Sequence, residues 1–147
     1  MFEIEQAGLV LLHESPDITV LHGVWAPQMR LYPHNHNMSA VIGVYGGQEV
    51  NTFFRREQQG LAERGGREVR EHEVVVLGSD VIHSVSNPLR AYTAALHVYT
   101  GDYLHTERSE WGPDTLEERP FDFDRARAAF AQADEAWARE RAEQRSA

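Results

Sequence analysis

The chain has 147 residues, with 14 Lys and Arg against 23 Asp and Glu, a formal net charge of -9, 41% hydrophobic and 25% charged residues; this suits one ordinary globular domain with a single core. Cysteine is absent, which excludes disulfides, thiolate zinc sites and cysteine nucleophiles, so any metal must be held by histidine and carboxylate. The acidic balance and the scattering of arginines among glutamates argue against a nucleic-acid surface.

The start, MFEIEQAGLVLLHESPD, has neither a basic leader nor a small-residue cleavage site, and no apolar run reaches the ~20 residues of a membrane helix. A cytoplasmic protein is expected. From Ile18 to about Tyr99, segments rich in Val, Ile, Tyr, Phe and Thr recur: ITVLHGVW, SAVIGVY, VNTFFRR, HEVVVL, DVIHSV and YTAALHVY. They read as strands. Turn signals at Ala26-Pro27, Gly46-Gly47, Gly65-Gly66, Gly78-Ser79-Asp80 and Asn87-Pro88 lie too close together for crossover helices, so the expectation is an antiparallel sandwich or barrel. Glu57 to Glu71 is polar and glycine-marked, and reads as a long exposed hairpin connection. Beyond Pro120 the composition turns to Ala, Glu and Arg. Phe123, Ala126, Phe130, Ala133 and Trp137 recur at helical spacing, and Asp122 or Asp124 could cap the start. Residues 1–120 are therefore expected to form an all-β barrel with an N-terminal lead-in, and residues 121–147 a helix packed on that barrel. The alternative use of the helix is as a dimer seam, and both monomer and homodimer are open.

Eight histidines are present. His13, His22, His72 and His105 each stand alone, as surface or structural histidines do. His34 and His36 differ, because residues i and i+2 of an extended segment project from one face and can converge on one ion. Such a pair alone is as readily structural as metal-binding. A second element, GSDVIHSVSN from Gly78 to Asn87, adds His83 on a neighbouring strand. Three neutral imidazoles with open positions suit a catalytic metal better than a closed structural one. His97 and Tyr99 also share one strand face, either as buried hydrogen-bonded residues or as a relay in which the imidazole orients the phenol.

Together, PHNHNMSAVIGVYGG and GSDVIHSVSN resemble the two cupin motifs in the version found in the thiol dioxygenases, the group of cysteine dioxygenase and mercaptopropionate dioxygenase. The likeness runs from about Val20 to Pro113 and includes the His97-x-Tyr99 strand and Trp25, nine residues before His34. It implies a double-stranded β-helix, or jelly-roll barrel, and non-haem Fe(II) on His34, His36 and His83; nickel, zinc or manganese can occupy the same nitrogens. The implied reaction converts a small thiol and dioxygen to a sulfinate. Tyr99 would meet the bound oxygen or substrate, with His97 orienting it. Arg108 falls near the position of an arginine that holds the substrate carboxylate in the mercaptopropionate branch, and Arg30 is the second choice.

Several residues depart from the pattern. Where many cupins carry a fourth, glutamate ligand, this chain has Ala40 and Val41, and Glu49 lies too far along to replace it. Val41 also stands at the spacing of the cysteine that crosslinks to the tyrosine in animal enzymes, so that crosslink cannot form. The family's Ser-His-Tyr triad becomes Ala95, His97 and Tyr99, which removes the outermost hydrogen bond. Asn35 and Asn37 replace the usual Asp and small residue. Two rival readings keep the same three histidines: another metal chemistry, such as a carbon-centre dioxygenase or a hydrolase, or a non-enzymatic metal- or ligand-binding module.

Overall fold

Strand alternation shapes most of the chain in the computed structural model, which describes residues 4–147. The strands are β1 (Gly8–Glu14), β2 (Thr19–Trp25), β3 (Arg30–Asn35), β4 (Ala40–Gly46), β5 (Gln48–Arg56), β6 (Leu61–Arg70), β7 (Glu73–Leu77), β8 (Ile82–Ser86), β9 (Thr93–Tyr99), β10 (Ser109–Trp111) and β11 (Glu118–Pro120). One helix, α1 (Phe123–Ser146), follows. The strands form two antiparallel sheets, ordered β1-β2-β9-β4-β7 and β11-β10-β3-β8-β5-β6. On β4, Ala40, Ile42 and Val44 are at most 2% exposed and point between the sheets, while Val41 and Tyr45 point out. β7 does the same with Val75 and Leu77 inward, so the two-residue period of the sequence is realised as a core between two layers. That core joins Leu21, Ile42, Val69, Leu77, Ala95 and Tyr99.

Two stretches differ from the sequence expectation. The segment read as a hairpin connection is mostly β6, paired with β5 from Gln48↔Arg70 to Arg56↔Leu61. β6 is the sheet edge, only Val69 on it is buried, and its charged side chains resemble a loop because an edge strand need not bury either face. The register shift between Phe53 and Phe54 falls beside Gly65, whose φ of 135° suits a bulge at glycine. The lead-in contains β1, an outer strand on β2.

Asp122 caps α1 as expected, its carboxylate accepting from the backbone N–H groups of Asp124 and Arg125. The helix buries Ala126 and Phe130, and Phe130 meets the ring of Trp25 at 5.1 Å between centroids. Asp134 accepts from the Ala7 N–H and the Tyr92 hydroxyl, and Arg90 lies 5.1 Å over Trp137. Among the described residues, no helix is long and apolar enough to cross a membrane. Because Phe130 is 3% exposed, truncating it to alanine should cost about 3 kcal/mol and lower the melting temperature by roughly 10 °C in thermal unfolding followed by circular dichroism. A shift below 2 °C would mean that the helix does not fasten the barrel.

Candidate metal centre

β3 pairs with β8 so that His34 stands opposite His83, with a register shift between Leu31 and His34. Pro33 lies in that interval and has no N–H for the ladder, which is where a bulge re-aims a strand. His36 follows just past the strand. Asn37 then adopts a φ of 55°, a conformation asparagine tolerates better than most residues, and turns the chain toward β4.

His34, His36 and His83 converge with their ligand nitrogens all within 4.8 Å of one another, and all three are buried. Their second nitrogens set the tautomers. His34 Nδ1 donates to the Tyr32 carbonyl at 3.0 Å and His83 Nδ1 to Asn51 Oδ1 at 2.8 Å, which leaves the Nε2 lone pairs toward the cluster. His36 Nε2 lies 3.4 Å from His83 Nε2. Burial holds His34 down at a pKa of about 4. Burial, then the neighbouring histidines, push His36 and His83 well below the usual range. The three rings are neutral at pH 7, so a divalent cation would meet three free nitrogens and displace no proton. Ala40, buried on β4 opposite Tyr99, brings no carboxylate. Donor count, chemistry and geometry fit a metal with three protein nitrogens and open positions.

On β9, His97 and Tyr99 face the same interior, and His97 Nδ1 lies 3.2 Å from the Tyr99 hydroxyl. Burial, followed by the adjacent Tyr103, raises the Tyr99 pKa well above that of a free phenol. Tyr99 stacks on Tyr103 at 3.9 Å and meets His36 edge-on at 5.0 Å. Behind His97 stands Glu49. It is fully buried, accepts from Trp25 Nε1 at 2.6 Å, and brings Oε1 to 3.4 Å from His97 Nε2. That last contact is off the line of a hydrogen bond, for His97 Nε2 and Glu49 Oε2 have no hydrogen-bond partner. Gly23 makes the room, since a Cβ there would meet His97 Nε2 at 3.2 Å. The Ala95 side chain carries no hydrogen-bonding group, and the carboxylate beside His97 comes from another strand. By sequence Glu49 is only too distant to be a fourth ligand; the signal for its place here is a charged residue at the inward phase of QEVN, with Asn51 two residues on.

Arg108 is 7% exposed. Its guanidinium lies 3.9 Å from the Tyr103 ring and 4.0 Å from Phe121, and Nη1 donates to the Tyr103 carbonyl. Nε and Nη2 are buried and have no partner. The two asparagines beside His36 hold this segment: Asn35 Oδ1 accepts from the Ser109 N–H at 2.8 Å and Asn37 Nδ2 donates to the Glu107 carbonyl at 3.1 Å. Arg108 is thereby clamped to the histidine pair from both sides, and its charge contributes to the lowered pKa values of His34 and His36 after burial. Arg30 is exposed at the start of β3 and lines a groove between the second sheet and α1 in which none of the three histidines takes part. Of the four isolated histidines, His22 is buried and hydrogen-bonded to Tyr45, and the other three are exposed.

No protein-family description matches the chain, and no curated protein sequence does. Solved structures do match in shape. A Bacillus halodurans protein aligns with 14% identity and a TM-score of 0.58 over 69% of this chain and 80% of its own. A cupin superfamily protein of Desulfitobacterium hafniense aligns with 13% identity and a TM-score of 0.55 over 69% and 84%. An oxalate oxidase in complex with the substrate analogue glycolate gives 15% identity and a TM-score of 0.55 over 66% of this chain, but only 52% of the oxidase. Likeness at such identities speaks for the fold, and the fold of this chain is the cupin double-stranded β-helix, closed by a C-terminal helix, with a three-histidine cluster inside that could bind a metal.

Proposed function

We propose that the protein is a non-haem Fe(II) thiol dioxygenase that converts a small mercapto acid to its sulfinate. The observation that carries this reading is an all-imidazole centre with no carboxylate, set beside a buried guanidinium whose Nε and Nη2 lack partners. Iron on His34, His36 and His83 would supply a common site for thiolate and dioxygen and a path for electrons between them. The reaction balances as R–SH + O2 → R–SO2H: both oxygen atoms end on sulfur, which loses the four electrons that dioxygen gains.

The protein's own groups then have separate tasks. His34, His36 and His83, all neutral, would leave a divalent ion its full charge, which would favour a thiolate over a thiol. Arg108 offers two N–H groups to a substrate carboxylate in a dry site, where a charge-assisted pair is strongest. Tyr99 keeps its proton, because burial disfavours the phenolate, and so can donate a hydrogen bond toward the reacting atoms. With that proton aimed at the reacting atoms, His97 Nδ1 would donate to the phenolic oxygen, and Glu49 stands 3.4 Å behind the ring.

Glu49 is a positioning residue by this account, so Glu49→Gln should lower kcat about 10- to 100-fold while KM and metal content stay within twofold. Equal loss of metal, or no change in kcat, would refute the role. A second reading, oxidation of a sulfur-free carboxylate, draws on the same arginine and on the glycolate held by the oxalate oxidase that shares the fold. Oxygen uptake with mercapto acids, compared with their hydroxy counterparts and with oxalate, separates the two.

A further inference from the structure

The outer face of the β1-β2-β9-β4-β7 sheet carries an apolar surface that the site does not use. Val10, Leu12, Val41, Val74, Val76 and Leu96 project from it, each between 37% and 70% exposed. The registers make them contiguous: Val41 stands between Val76 and Val98, and Leu96 between Gly43 and His22, which in turn pairs with Val10. At these outward positions, from β7 to β1, no side chain is charged, in a chain that is 25% charged overall. Three polar groups lie on the face: His22 is hydrogen-bonded to Tyr45 and its ring stacks on the tyrosine at 5.7 Å, while His13, opposite Val20, stands exposed near one end. The paired His22 and Tyr45 need no water, and His13 can keep its own at the rim.

We infer that this sheet face joins two copies of the chain in a symmetric dimer. The apolar side chains on it expose roughly 500 Å², in the range of the largest, often functional, patches of single chains, and enough to form the core of an interface of ~800 Å² per subunit. Charge selects the same occupant. Each copy carries a formal -9, so two copies can approach closely only where the surface is uncharged, and this face is such a surface. A two-fold axis through the face sets like apolar rows against each other, as an isologous contact requires. The helix, with its exposed surface of Glu, Asp and Arg, stays outside the contact.

The test is the mass of the full chain by sedimentation equilibrium and light scattering, for the wild type, Val41→Glu, Val76→Glu and the helix control Ala136→Glu. The wild type should have twice the 16.7 kDa chain mass, with a Kd in the range of about 1 μM or tighter. Each sheet variant should weaken association at least ~100-fold, because the symmetry places two new carboxylates in one interface, while Ala136→Glu stays dimeric. Val76 is 70% exposed, so its variant keeps the monomer fold, which circular dichroism checks. A wild type that is monomeric at ~50 μM, or a dimer that survives both sheet variants, or one broken only by Ala136→Glu, overturns the inference.

Discussion

His83→Ala is expected to bind less than a tenth of an equivalent of Fe(II) at micromolar metal and to consume no oxygen with any thiol. Removing one of three nitrogens takes away a third of the protein's hold on the ion and opens the site to water, and even changes beyond the direct ligands commonly cost 10- to 100-fold in affinity. His83 is also the ligand whose geometry is most firmly set, since Asn51 Oδ1 holds its Nδ1 at 2.8 Å. Fold stability should hardly fall. The cavity costs something and leaves Asn51 Oδ1 without its donor, but a buried imidazole with a strongly lowered pKa is removed with it. Metal analysis and a melting curve on the same sample separate the two effects. Full metal occupancy in the variant would place the ion elsewhere.

Arg108→Gln should raise KM for a carboxylated thiol about 100-fold, equivalent to roughly 3 kcal/mol, while a thiol without a carboxylate is affected less than tenfold. The difference rests on the buried, unpartnered Nε and Nη2. A glutamine can offer one amide in their place but no charge and no fork. The variant also loses the stacking on Tyr103 and Phe121, so its metal content and melting temperature need to be measured beside the kinetics. Equal loss for both classes of thiol would assign Arg108 to the structure of the mouth and not to substrate. Arg30→Gln, exposed in its groove, should leave KM within twofold.

The cluster was legible in the sequence because strand alternation is a local rule. His34 and His36 share a face by spacing alone, and His83 follows a turn that fixes the phase of its strand. The same rule placed Tyr99 beside His97. It fails where position depends on packing between sheets. Glu49 reaches His97 across the barrel floor from β5, and only the absence of a side chain at Gly23 and the reach of Trp25 decide that contact. Val41 and Ala40 show how narrow the margin is: Val41 has the spacing of the crosslinking cysteine in the animal enzymes that the motifs resemble, yet it points out, and Ala40 faces the interior opposite Tyr99. Arg108 is the first choice by sequence and Arg30 the second, and the asparagine clamp on residues 107–109 places Arg108, not Arg30, beside the histidine pair. β6, β10 and β11 escaped notice for simpler reasons. The first exposes nearly every side chain, and the other two are three residues long, too short to show a period.

The central claim is that iron on three histidines oxidises a thiol held by Arg108. Its most direct test is oxygen consumption by the anaerobically Fe(II)-loaded protein against a panel of mercapto acids, cysteine, uncharged thiols and the hydroxy acids of matching shape. One dioxygen should be consumed per thiol, with sulfinate as the product, carboxylated thiols preferred and His83→Ala silent. Stoichiometric iron with no thiol-dependent uptake, or uptake with the hydroxy acids alone, would contradict it.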